Sequence, residues 1–207
     1  MIIAVDGPAA SGKGTLARAL ARHYGLHYLD TGSLYRAVGQ TVIASGGDPA
    51  DEKAALAAAE SLDAARIDEK AIRTAEAGHV ASVVAAMPAV RAAILGLQRR
   101  FAAQKPGAVL DGRDIGTVVC PEAHVKLFVS ASPEVRARRR WLELNSSGSD
   151  LSEAQVLEDV RERDRRDAER TASPMKPAAD AHLLDTSDLG IEAAFDAAVA
   201  IIDKAMG

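Results

Sequence analysis

The chain has 207 residues, 48% of them hydrophobic and 26% charged, with a net charge of −4. That is enough for one domain with a substantial core, and it excludes a global electrostatic pull toward nucleic acid or acidic membranes. The single cysteine, Cys120, excludes an internal disulfide or a cysteine-based metal cluster and fits a reducing compartment. Met1-Ile2-Ile3 lead straight into the first expected strand and leave no room for a signal peptide. No apolar run approaches the roughly 20 residues of a membrane span. A cytoplasmic location is therefore expected.

Ile2–Val5 is an apolar run and reads as a buried strand. It is followed by Gly7-Pro8-Ala9-Ala10-Ser11-Gly12-Lys13-Gly14-Thr15 and then by a helical segment from Leu16 to Ala21. Strand, glycine-rich loop and helix in this order make a phosphate cradle. Glycines allow the sharp turn that points N–H groups at an anion, and the helix start adds more of them. Lys13 supplies a mobile charge for the outer phosphates of a nucleoside triphosphate. Position 14 is Gly where Ser or Thr usually follows the lysine, and the hydroxyl comes one residue later, at Thr15. The competing reading is a chance glycine-rich turn.

His27–Leu29 is a further strand candidate, closed by the corner Asp30-Thr31-Gly32-Ser33-Leu34-Tyr35-Arg36. Tyr35 and Arg36 would stand in the first helical turns there, near an anion; simple capping explains the corner equally well. The stretch from about Ser33 to Gln104 is alanine-rich and mostly helical, interrupted by a turn at Gly46-Gly47-Asp48-Pro49.

Ala108–Leu110 is a strand followed by Asp111-Gly112-Arg113-Asp114. Asp111 suits the magnesium shell or a lysine at the triphosphate. Arg113 suits a phosphate and Asp114 an amino or hydroxyl group, although an ordinary polar turn would look the same. Val125–Val129 and His182–Leu184 are the remaining strands. Strands alternating with helices argue for a parallel sheet covered on both faces, with ligands at the C-terminal strand ends.

Between the last two strands, Pro133 to Thr171 reads as two helices with a polar tip at 145–150. Ser132 is the expected cap of the first, with Pro133 at its first position. Ser152 and Gln155 form a capping box for the second, with a Leu151–Val156 staple. From Arg136 to Thr171 nine arginines face nine acids, a zero balance that argues against a nucleic-acid patch. Arg163, Asp167 and Arg170 share one helix face. They suit a clamp of two planar forks on phosphate; a solvated, ion-paired helix is the alternative. The five histidines lack metal spacing and read as structural or surface residues. Trp141 and Phe128 read as packing.

Taken together, Gly7–Thr15, Asp30–Arg36, Ile72-Arg73-Thr74, Ser82–Arg91, Asp111–Val119, Arg163–Arg170 and Pro177–Ala181 resemble bacterial cytidylate kinases over nearly the whole chain. The resemblance implies an α/β P-loop NTPase fold: three αβα layers with a five-stranded parallel sheet, a helical lid and a monophosphate-binding subdomain. It divides a single domain into a core (1–32, 105–132, 173–207), a monophosphate-binding part (33–104) and a lid (133–172). It implies ATP-dependent phosphorylation of CMP and dCMP to CDP and dCDP in pyrimidine nucleotide metabolism, with Mg²⁺. Residues Gly7 to Thr15 would bind the ATP phosphates, with Lys13 at the transferring end and Thr15 on the metal. Thr31, Tyr35, Arg36, Ser82, Arg91, Arg113 and Asp114 would contact CMP, and Arg163, Asp167 and Arg170 would serve the lid and sugar side. Lys13, Asp111, Arg113, Arg163 and Arg170 would carry catalysis. The turn Asp185-Thr186-Ser187 would approach adenine.

One departure is a short segment, 64–71, where family members often carry a β-rich insertion. A monomer is expected, with no nucleic-acid or membrane partner. The alternatives are a kinase for another monophosphate such as UMP, a P-loop metabolite kinase, or a P-loop binding switch.

Overall fold

The computed structural model describes residues 1–63, 67, 72, 74–146 and 148–207. Arg73, Ser147 and, apart from Ile67, the short segment 64–71 lie outside the described residues.

Five strands form one parallel sheet in the order β2-β3-β1-β4-β5. They are β1 (Ile2–Asp6), β2 (His27–Asp30), β3 (Ala108–Gly112), β4 (Val125–Ser130) and β5 (His182–Asp185). All five expected strands are present, each ending one or two residues later than the apolar runs suggest. The polar residue that closes each run still takes a place in the strand. Strand β1 is central, pairing in parallel with β3 from Ile2 opposite Ala108 and with β4 from Ile3 opposite Val125. Continuous apolar runs suit this position because both faces of an inner strand are covered. Edge strand β5 is more exposed, with Leu183 70% accessible.

Helices α1 (Lys13–Tyr24) and α8 (Ile191–Met206) cover one face. Ile3, Val5, Leu16, Leu20, Val109, Leu127, Val129 and Ile202 make the core there, each 5% exposed or less. Each such side chain contributes about 1.5–3 kcal/mol by leaving water. Helices α6 (Pro133–Ser146) and α7 (Glu153–Glu169) form a hairpin with a small core of its own: Ala137, Leu144, Val156 and Val160, with Trp141 and Leu151 against it. The caps are those expected. Ser132 Oγ accepts from Val135 N at 3.3 Å, and Ser152 with Gln155 forms the capping box.

The chain divides into two compact units, residues 1–29 with 102–207, and residues 30–101. The second contains α2 (Thr31–Ala44), α3 (Glu52–Glu60), α4 (Ala75–Val84) and α5 (Pro88–Ala102). Helices α2 and α4 pack closely because position 39 is glycine: a β-carbon there would lie 2.3 Å from Val80 Cγ1. Among the described residues no single helix is long and apolar enough to cross a membrane. The apolar pair α4 and α5 bends by 100°, with Val80, Val84, Val90 and Ile94 buried.

Candidate active site

The phosphate loop takes its shape from three backbone positions. Gly7 has φ +148°, and a β-carbon there would collide with Val129 O at 2.0 Å. Gly12, at φ +86°, caps α1, and Ala10 also has positive φ, at 59°. Only glycine adopts such angles at little cost. No side chain caps α1 and no acid stands in its first turn. The N–H groups and the dipole at a helix start therefore favour an anion. Ser11 is fully buried, and its Oγ has no hydrogen-bond partner. A buried hydroxyl left this way inside an anion loop fits a group that completes the loop on binding.

Gly14 has a structural reason. A β-carbon at 14 would lie 3.2 Å from Asp111 Oδ2 and 3.7 Å from the Tyr28 hydroxyl, which donates to Asp111 Oδ1 at 3.3 Å. Asp111 thus stands directly beside the start of α1. Thr15 and Asp111 are hard oxygen donors, which suits Mg²⁺. No group of three or more His, Cys, Asp or Glu side chains forms a metal cage among the described residues. Magnesium ordinarily takes only one or two protein oxygens beside phosphate and water, so the residues present fit it.

Beyond Asp111 the chain forms one wide helical turn, Ile115–Val119, which the sequence reading did not anticipate. Val119 N donates to Asp114 O and Cys120 N to Ile115 O, both across five residues. Such π-type turns are uncommon and cluster at functional sites. The buried carboxylate of Asp6 accepts from Ile115 N and Gly116 N, each at 2.8 Å. It therefore ties the residue before the phosphate loop to the turn behind Arg113 and Asp114. Burial pushes Asp6 up to about 6, although the two backbone donors and Arg113 oppose that rise.

Arg113 donates from Nε to Asp167 Oδ2 at 2.8 Å. Asp167 lies on α7, and Arg170 caps the helix with a nitrogen 4.0 Å from the same carboxylate. Burial disfavours the charged form of Asp167. Arg113, Arg163 and Arg170 outweigh burial and hold it below the usual carboxylate range. The structure therefore gathers Arg113, Arg163, Asp167 and Arg170 into one cationic array around a single carboxylate.

In the second unit, Asp30 holds Arg36 by a 3.1 Å ion pair, and Ser33 Oγ donates to Asp30 O. Thr31, the first residue of α2, is buried. Tyr35 is nearly buried, with the Arg91 guanidinium 5.6 Å from its ring centroid, and Arg91 also donates to Ala85 O. Ser82 on α4 is buried, and its Oγ has no hydrogen-bond partner.

Several site-supporting residues escaped the sequence reading. Arg136 and Arg139 of α6 brace the phosphate loop, joined by Thr186 of the turn expected to approach adenine. The Thr186 hydroxyl lies 3.0 Å from Ser11 O, and Arg139 donates to Thr186 O at 2.7 Å. Lys126, buried near the start of β4, donates to Asp180 and to Pro121 O. A lysine inside an apolar run was the available signal. Two histidines are structural, as expected: His124 Nδ1 accepts from Ile2 N, and the His27 ring bonds Lys105 O.

A parallel sheet with a lysine-bearing glycine loop between β1 and α1 is the core of a P-loop nucleotide-binding fold. Shikimate kinase from Bacteroides thetaiotaomicron shares the fold, with a TM-score of 0.54 at 12% identity over 98% of both chains. The family model for cytidylate kinase matches residues 3–204. The cytidylate kinase of Xanthobacter autotrophicus is 62% identical over 98% of this chain and 97% of its own. That of Rhodospirillum rubrum is 61% identical over 98% and 97%. This chain belongs to the cytidylate kinase family.

Proposed function

We propose that the protein transfers the γ-phosphoryl group of ATP to CMP and dCMP, giving ADP with CDP or dCDP. The observation that carries this reading is the array of Arg113, Arg163 and Arg170 around Asp167. It supplies a second anion site in the same unit as the phosphate loop, which a simple triphosphatase would not need. The relatives' names specify cytidylate as acceptor.

Phosphoryl transfer needs positioning and charge stabilisation more than covalent help from the protein. In this reading Lys13 and the loop N–H groups hold the triphosphate. Arg113, Arg163 and Arg170 neutralise charge spread over the group in flight. Asp167 keeps the three guanidinium groups together. The acceptor phosphate is itself the nucleophile, so no general base is required, and the histidines remain structural. Thr15 and Asp111 would hold Mg²⁺, which when bound withdraws charge from phosphate oxygens. Tyr35, Arg36, Ser82 and Arg91, with Thr31 and Asp114, contact CMP. The unpartnered buried hydroxyl of Ser82 supports a bond to the base. Residues 33–104 act as the monophosphate-binding part and the α6–α7 hairpin as the lid, which excludes water as it closes. We read the protein as a cytoplasmic monomer.

An ADP-release assay across CMP, dCMP, UMP, AMP and shikimate tests the assignment. Turnover with CMP and dCMP well above the rest is expected. Equal or faster turnover with another acceptor overturns it, as does fast ATP consumption without any acceptor.

A further inference from the structure

We propose that Arg136 and Asp164 form a positioning pair that sets where α7 presents Arg163 and Arg170 to the phosphate loop. The proposal rests on the reading that these two arginines act on the transferring phosphoryl group.

Arg136 is 3% exposed, and its guanidinium is used on three sides. Nε donates to Ala131 O, just past β4, at 2.8 Å. The two terminal nitrogens form a fork on Asp164 of α7, at 2.9 and 2.6 Å. One of them also reaches Ala9 O, in the phosphate loop, at 3.4 Å. A single side chain thus bridges the end of β4, the phosphate loop and α7.

Asp164 immediately follows Arg163 and lies one turn before Asp167. Asp167 takes Arg113 at 2.8 Å. Helix α7 is therefore pinned by two carboxylates a turn apart, one to α6 and the loop, the other to the turn after β3. A bidentate fork fixes rotation about the helix axis as well as distance. A point charge such as lysine would fix distance alone.

The hairpin does not require this pair in order to fold. Ala137, Leu144, Val156 and Val160 already close α6 on α7. Other ion pairs on these helices, Arg161–Glu134, Arg161–Glu158, Arg140–Glu143 and Arg166–Glu162, involve exposed carboxylates and are worth little. A buried pair is often no more stable than apolar residues of the same size. What it adds at this point is register.

The test compares Arg136→Lys, Asp164→Asn and the double variant with the parent enzyme. It measures kcat, KM for ATP and for CMP, and the melting temperature. Displacement of catalytic groups by about 1 Å costs on the order of a hundredfold. We expect kcat to fall about 10- to 100-fold in each single variant, with both KM values moving less than about threefold. The double variant should be no worse than the poorer single one, because the residues act as a unit. A structural role alone would lower the melting temperature and leave kcat unchanged well below it; that result overturns the proposal. Asp164 is partly exposed, so Asp164→Asn carries the test if Arg136→Lys does not fold. Arg163→Ala is run alongside. If it is impaired while the pair variants are not, the pair alone fails. If it too keeps full kcat, the reading of α7 fails with it.

Discussion

Arg113 and Asp167, 54 residues apart in sequence, meet at 2.8 Å, nitrogen to oxygen, with side chains 15% and 6% exposed. The contact joins the turn after β3 to α7 and makes one carboxylate the organiser of three arginines. In the proposed reading, removing Arg113 therefore deletes a phosphate ligand and loosens the two others. We expect Arg113→Ala to raise KM for CMP about 10- to 100-fold, the loss of a charged hydrogen bond of about 1.5–3 kcal/mol. KM for ATP should change much less. Steady-state kinetics with each substrate varied in turn checks this, and an unchanged CMP KM removes Arg113 from the acceptor site.

Lys13 opens α1 at the end of the phosphate loop, and the loop's shape depends on Gly7 and Gly12 rather than on the lysine. Lys13→Ala should lose about 100- to 1,000-fold in kcat, as when one preorganised donor is removed. Far-UV circular dichroism and the melting temperature should stay near the parent values. Unimpaired turnover would contradict the assigned role.

The buried Asp6 carboxylate is displaced upward, to about 6 from 3.8. Between those values the folded protein binds more protons at this site than the unfolded chain. Its contribution to stability is therefore complete below about pH 4 and is lost as pH rises through about 6. Asp6→Asn cannot ionise and should lack this dependence. Urea unfolding from pH 4 to pH 7 should show the parent losing stability relative to the variant across that window. A constant difference between the two would mean that Asp6 is not displaced.

Gly39 tests the packing of α2 on α4. In an exposed helix Gly→Ala gains up to about 1 kcal/mol in propensity. Here the added carbon would meet Val80 Cγ1 at 2.3 Å, and a valine on a packed helix has little freedom to move. Overpacking of about 1–3 kcal/mol should win. Gly39→Ala should lower the melting temperature, and the Gly39→Ala/Val80→Ala double variant should recover part of the loss.

The strands were readable because each is a short apolar run closed by a polar residue, and a buried parallel strand needs little else. The hairpin was readable because Ser132, Ser152 and Gln155 are local caps whose partners lie three residues away. The cationic array was half legible. Helical spacing put Arg163, Asp167 and Arg170 on one face, while Arg113 enters only through the fold. The wide turn at Ile115–Val119 was not legible, since its sequence has no helix period and its stability depends on Asp6, 109 residues away from Ile115.

By itself the sequence determined the order of strands and helices, the phosphate loop with its lysine, the local caps and the family pattern. These rest on interactions within a few residues or on fixed motifs, which the linear order records. Tertiary structure alone decided which charges meet. The charge run from Arg136 to Thr171 holds nine bases and nine acids, and their order does not say that Asp164 belongs to Arg136 or Asp167 to Arg113. Those pairings follow from the register of two packed helices and the end of a strand. Burial there makes each wrong pairing costly, since a charge withdrawn from water must find its counterpart.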